Sequence, residues 1–179
     1  MTSAGGRRLL LGVLIGGIAL AAAAASTLSV LYVTAPDGDY PHVPANGCRM
    51  IPNSDLIEYV PEGTVTRHEQ TSNKASCAWW DAGARASLEI SVSVSGKRLI
   101  PPRSAGESAH REYARLRSGY DSRDQPGLGD EAFQGEDGDA VAACVRQSNR
   151  VVLLRYTSPE ALTGEAVIIL QQVLANLPE

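Results

Sequence analysis

The stretch Ser87-Leu88-Glu89-Ile90-Ser91-Val92-Ser93-Val94-Ser95 decides the fold class. Leu88, Ile90, Val92 and Val94 recur at every second position, and serines and Glu89 fill the positions between. Successive side chains of an extended strand point to opposite faces, so one face of this segment is apolar and the other polar. A sheet with one face on a core and one in water is characteristically antiparallel.

Working outward, two further strand-like runs precede it, Thr64–Glu69 and Ser76–Asp81. Upstream of those, Asn53 or Ser54 is expected to cap a short helix through Val60 that Pro61 stops. Downstream, Pro101-Pro102 interrupts the chain, and Ser104 with Glu107 has the spacing of a capping box opening a helix to about Gly119. Tyr113, Leu116 and Tyr120 form one stripe of that helix. Gly127–Asp130 reads as a loop, Glu131–Gln134 as a short strand, and Asp137-Gly138 as a two-residue turn. A hairpin follows: Ala140–Arg146, a turn at 147–150, then Val151–Tyr156. Ser158 is expected to cap the last helix with Pro159 at its first position, and Leu162, Ala166, Ile169, Val173 and Leu177 to line its apolar stripe. The predicted class is α+β: one antiparallel sheet with helices packed on it.

The 179-residue chain begins differently. Arg7-Arg8 precedes an uncharged run from Leu9 to Val33, about 37 Å long as a helix and therefore long enough to cross a hydrocarbon core of about 30 Å. Basic residues on the short N-terminal side place that end in the cytoplasm and the rest outside, giving a single-pass cell-membrane protein with an extracytoplasmic C-terminal domain. The rival is a signal peptide cleaved after Ala23-Ala24-Ala25; the apolar run continuing through Leu31 to Val33 favours retention. Residues 1–33 are thus the expected anchor, 34–47 a Pro/Gly-rich linker and 48–179 the domain. Residues 34–179 carry a net charge of −6, which excludes nucleic-acid binding through bulk charge.

Several local patterns occur in order: Cys48-Arg49-Met50-Ile51 before a short helix, Ser76-Cys77-Ala78-Trp79 at a strand, and Gly127-Leu128-Gly129-Asp130-Glu131-Ala132-Phe133 before a hairpin, in which Arg146 and Asn149 precede Val151-Val152. Together they resemble the actinobacterial domain-of-unknown-function family 3558. The resemblance implies an exported lipoprotein or single-span membrane protein of the bacterial cell envelope with no established activity. A lipobox cysteine, frequent in that family, is missing here, so lipidation is not implied.

No motif fixes a chemistry. His42, His68 and His110 stand far apart, and none is at i, i+4 from another ligand type, so zinc spacing is absent and no metal site is expected. No nucleophile elbow or phosphate-binding glycine loop occurs, no cofactor is expected, and the domain reads as non-enzymatic. Adjacent Trp79 and Trp80 must point to opposite faces of a strand. One belongs to the core; the other, Trp80, is either covered by a helix or free to bind a partner. Residues 97–123 sum to +4, with Arg111, Arg115 and Arg117 on the helix, and residues 124–139 sum to −6. These are either solvated faces paired with each other or a bipolar surface for an envelope protein or anionic envelope ligand. Three cysteines allow three single bridges. Cys48, at the domain's start, and Cys77, beside a tryptophan, are the favoured pair, leaving Cys144 as a buried thiol in mid-strand. The expected role is a membrane-tethered binding or accessory module, with an enzyme of unrecognised geometry or a structural envelope component as alternatives.

Overall fold

The computed structural model describes residues 38–99 and 102–178, with the side chains of Arg98, Leu99 and Thr163 left aside. The expected span Leu9–Val33 lies outside the described residues. No described helix is long and apolar enough to cross a membrane. Pro36–Glu179 forms one compact unit.

A 3₁₀ turn, Gly47–Arg49, leads into helix α1 (Asn53–Tyr59), after which come strands β1 (Thr64–Gln70), β2 (Lys74–Asp81) and β3 (Ala86–Val94). Two short strands, β4 (Arg98–Leu99) and β5 (Pro102–Arg103), pair only with each other. Helix α2 (Ala105–Arg117), strands β6 (Asp121–Asp124), β7 (Glu131–Asp137), β8 (Ala140–Gln147) and β9 (Arg150–Thr157), and helix α3 (Thr163–Asn176) complete the domain. Seven strands form one sheet in the order β1-β2-β3-β9-β8-β7-β6, every neighbour antiparallel. The fold is therefore α+β, one antiparallel sheet with three described helices.

The alternation of β3 carries through: its burial follows a strict every-second-residue pattern with Leu88, Ile90 and Val92 fully enclosed. These residues share a core with Cys77, Trp79, Val152, Leu154 and the α3 residues Ala166, Ile169, Leu170 and Val173. The opposite face has its own smaller core, in which Ala109 and Tyr113 of α2 meet Phe133, Cys144 and Val151. Helices thus lie on both faces, and β8, covered from both sides, is buried from Ala140 through Val145. Burying a Leu, Ile or Phe side chain is worth about 1.5–3 kcal/mol, so these two clusters are what hold the layers together.

Three local expectations are corrected. Helix α1 is capped from Pro52, without a side-chain hydrogen bond from Asn53 or Ser54. The β7–β8 turn is centred on Gly138-Asp139 rather than Asp137-Gly138, because Asp137 pairs with Ala140. Gly138 takes φ +61°, the left-handed value that the first central residue of such a hairpin turn requires. Helix α3 starts at Thr163, not Pro159: the Ala161 amide donates to the Ser158 carbonyl (3.1 Å) and closes a turn first, and Glu165 then reaches back to the Leu162 amide (2.9 Å). Leu162 consequently leaves the apolar stripe and is 69% exposed.

The segment before the disulfide lies on the domain. The fully buried Asn149, at the β8–β9 turn, donates from Nδ2 to the carbonyls of Tyr40 (2.9 Å) and Ser95 (3.0 Å) and accepts from the Tyr40 amide (3.1 Å). The Arg150 guanidinium stacks on the Tyr40 ring, 3.6 Å from its centroid, and donates to the Pro178 carbonyl (2.9 Å). Only glycine fits at position 38, where a Cβ would come within 2.4 Å of the Asn149 carboxamide carbon. This strap ties the start of the described chain to the ends of β3 and β9.

Candidate functional site

Trp79 and Trp80 diverge as strand geometry requires. Trp79 enters the main core at 3% exposure, and Trp80 emerges on the α2 side of the sheet at 42%. Helix α2 packs on that face over β7, β8 and β9, and Glu112 accepts a hydrogen bond from Ser93 Oγ (2.9 Å). Toward β1 and β2 the face carries exposed and half-buried side chains. Cross-strand register fixes which of them are neighbours. Thr64, Trp80, Ser87 and Thr157 form one row across β1, β2, β3 and β9. Arg67, Ala78, Glu89 and Arg155 form the next, extended by Ala142 and Gly135. Arg67 pairs with Glu89 (3.3 Å) and Arg155 with Asp137 (2.9 Å). The exposed part of this face thus carries one indole, hydroxyls and two ion pairs, whereas Ala142 and Gly135 farther along the second row are buried, Gly135 against Tyr120.

The sequence pointed to Trp80 and left the others of this group unmarked. Glu89 has the parity of Trp80's strand partner Ser87, a signal that was available; Arg155 and Asp137 join only through the β9–β8–β7 register, which no local pattern encodes.

The arginines sit elsewhere. Arg111 and Arg115 are exposed, one turn apart on the outer side of α2. Arg117 instead pairs with Asp124 (2.7 Å) and donates from Nε to Ser122 Oγ (3.4 Å). Nothing described joins these residues to Trp80. Much of the charge contrast read along the chain is internal: besides Arg117–Asp124, His110 Nδ1 meets Glu131 (2.8 Å), Arg146 Nε donates to Glu131, and Arg146 also pairs with Asp130 (3.0 Å). Burial pushes the Glu131 carboxyl upward, but hydrogen bonds from His110 and Arg146 outweigh it and hold its pKa below the ordinary range.

Glu131 lines a shallow depression of about 220 Å³ beside α2, together with Tyr113, Arg117 and Asp124. The imidazole of His110 makes its described hydrogen bond to Glu131, and no hydroxyl or thiol approaches it among the described contacts. His42 and His68 are exposed. A larger cleft of about 510 Å³ opens between the β2–β3 and β7–β8 turns and the approach to α3, lined by Arg85, Glu136, Asp139, Thr157, Ser158 and Leu162. Among the described residues no three His, Cys, Asp or Glu side chains come together as a metal site would require.

Cys48 and Cys77 form a disulfide with their Cα atoms 5.0 Å apart. Cys144 is free and buried between the sheet and α2, and burial pushes its thiol pKa far up, leaving it without thiolate character. Asp81, almost enclosed, accepts from the backbone amides of Ala84, Glu62 and Gly83, and these bonds hold its carboxyl below the ordinary range.

No family model matches the chain, and neither the curated proteins nor the solved structures contain a match to it.

Proposed function

We propose that this chain is a single-pass, membrane-tethered extracytoplasmic module that binds an envelope partner without catalysing a reaction. One observation carries the reading: a large indole, Trp80, stands 42% exposed on an otherwise polar sheet face. Leaving such a group in water forgoes about 1.5–3 kcal/mol of burial, and aromatic side chains of this kind anchor protein and ligand interfaces. The uncharged run Leu9–Val33 behind Arg7-Arg8 supports the tether, and the Cys48–Cys77 disulfide supports an oxidising compartment. The ordered motifs that resemble domain-of-unknown-function family 3558 agree with both.

The test is crosslinking from a photoreactive residue at position 64, which faces Trp80 across the β1–β2 pairing, in the full chain in native membranes, followed by pull-down. Recovery of one dominant adduct that disappears with Trp80→Ala supports a binding module. Adducts that are all non-specific, with equal yield from a crosslinker placed on α1, refute it. Protease added to intact spheroplasts tests the topology: the domain should be degraded while the anchor stays in the membrane.

A further inference from the structure

We infer that this domain assembles with further copies of itself head to tail, the basic outer side of α2 on one copy seating on the acidic, apolar surface that α1 and α3 present on the next. That surface is separate from the Trp80 face and does not depend on it. A helix on the outside of a domain normally turns charged residues to water. Helix α3 has Glu165 as its only charged residue, and its exposed positions are Gly164, Ile168, Gln171 and Ala175. Ile168 is 54% exposed, Leu162 just before the helix 69%, and Ile57 on α1 58%. Three of the five exposed large apolar side chains among the described residues therefore belong to these two helices and the approach to α3. The helices are neighbours on one face of the sheet, where the Tyr59 hydroxyl of α1 donates to Gln172 Oε1 of α3 (3.1 Å). Apolar groups gathered in this way are stabilised by being covered.

Charge selects the occupant. Burial first, and then the fields of Glu58, Asp55 and Glu165, push the Tyr59 hydroxyl pKa up, so these three carboxylates share its neighbourhood. None of them meets a cation among the described residues, and residues 51–66 and 158–179 contain no Lys, Arg or His. The matching side is α2, on the other face of the sheet. There Arg111 and Arg115 are exposed, four residues apart, without an ion-pair partner among the described residues. The exposed Ala114 beside them is small enough to let another helix come close. Other titratable groups of α2 are engaged: Glu107 accepts from the Ser104 amide (2.9 Å), His110 meets Glu131 (2.8 Å), and Glu112 accepts from Ser93 (2.9 Å). The two complementary surfaces lie on opposite faces of the sheet, so one copy cannot pair them within itself. Two-fold contacts are disfavoured in both forms, because α2 on α2 sets arginine against arginine and α3 on α3 sets carboxylates together. The head-to-tail contact matches instead, and a contact of that kind repeats from copy to copy. Its ion pairs fix orientation, while the apolar groups supply most of the affinity.

The experiment combines Ala114→Cys with Ile168→Cys in the full chain, oxidises it in native membranes and resolves the products on non-reducing gels. The two positions lie on opposite faces of the sheet, so a bridge between them must join two copies; Cys144 is buried, and Cys48 and Cys77 are already bridged. The expected result is a ladder of dimers, trimers and higher species that reductant collapses, with either single substitution stopping at dimers. Sedimentation equilibrium of the otherwise unaltered full chain in detergent gives the second readout. Arg111→Glu with Arg115→Glu should weaken self-association at least about tenfold, and adding Asp55→Lys with Glu58→Lys to that variant should restore it, which a folding defect could not do. A chain that sediments as a monomer at every concentration overturns the inference. So does a ladder of equal yield from Ala114→Cys with Val65→Cys, or a charge reversal without effect. Ile168→Cys bridging only to a different protein also overturns it and makes that protein the occupant. Adducts of the chain with itself differ in mass from those with an envelope partner, so this experiment and the crosslinking from position 64 fail independently.

Discussion

Opening the Cys48–Cys77 bridge tests how the N-terminal end of the domain is held. The perturbation is Cys48→Ala, chosen because Cys48 is only half-buried, whereas Cys77 is packed in the core and would leave a cavity. The bridge spans 29 residues of sequence. Closing a loop of that length removes about 12 cal/mol/K of entropy from the unfolded chain, or about 3.5 kcal/mol at 25 °C. Unfolding entropy near 60 °C is about 2.1 cal/mol/K per residue, hence about 300 cal/mol/K for the compact unit Pro36–Glu179. The expected loss of Tm is the ratio of the two, about 12 °C. Circular dichroism melts of parent and variant measure it, with the parent under strong reductant as a check that the effect belongs to the bridge. Hydrogen exchange adds a spatial signature: amides from Tyr40 to Met50 should lose protection first, because the Asn149 clasp becomes their principal remaining tie. A loss of Tm below about 4 °C would refute the reasoning, since it would mean that the unbridged chain is already restricted in that region.

Asn149→Ala leaves the Tyr40 amide and the Tyr40 and Ser95 carbonyls without their side-chain partner, at a cost of about 2–4 kcal/mol, read as a lower urea midpoint at unchanged slope. Glu131→Gln keeps the shape but exchanges charge-assisted bonds to His110 and Arg146 for neutral ones, and should cost about 1–2 kcal/mol at pH 7 in the same assay. Asp81 and Glu131 both have folded pKa values below their unfolded ones, so their contribution is complete above the ordinary carboxylate range of about 4 and is lost as pH falls through the depressed values. Urea midpoints from neutral to acid should therefore drop below about pH 4, and less steeply in Asp81→Asn. Arg111→Ser with Arg115→Ser should leave stability within about 0.5 kcal/mol while lowering any salt-sensitive association measured by vesicle or partner co-sedimentation.

The elements readable in advance are those whose signal is local. The alternation of Leu88 to Val94 needs only one strand to be seen, and the Ser104–Glu107 capping box is complete within four residues, its two bonds being 2.9 and 3.1 Å in the structure. Strand β6 escaped because Asp-Ser-Arg-Asp has no apolar periodicity: it is an edge strand, held by backbone pairing to β7. The start of α3 differs because Ser158-Pro159 satisfies the helix-opening pattern, yet a turn at Ser158–Ala161 and the Glu165 carboxylate accepting from the Leu162 amide compete for the same residues. At the site, the opposed directions of Trp79 and Trp80 followed from strand geometry alone. The pairing of the charged segments did not, because Arg117–Asp124 and Glu131–Arg146 depend on how β6, β7 and β8 are aligned and on where α2 lies across them.

The strap from Gly38 to Gly47 gives the protein a two-stage response to mechanical load. A pull applied through the N-terminal side first meets the Asn149 clasp and the stacked Tyr40 and Arg150, non-covalent contacts at the ends of the central strands β3 and β9. Their release frees about ten residues, or roughly 35 Å of extension. The load then reaches Cys48 and passes through a covalent bond into β2, so further extension must shear a strand paired with β3 along its whole length and with β1 from Ala75 to Trp80. A pull from that side would thus draw out slack before it could unfold the sheet.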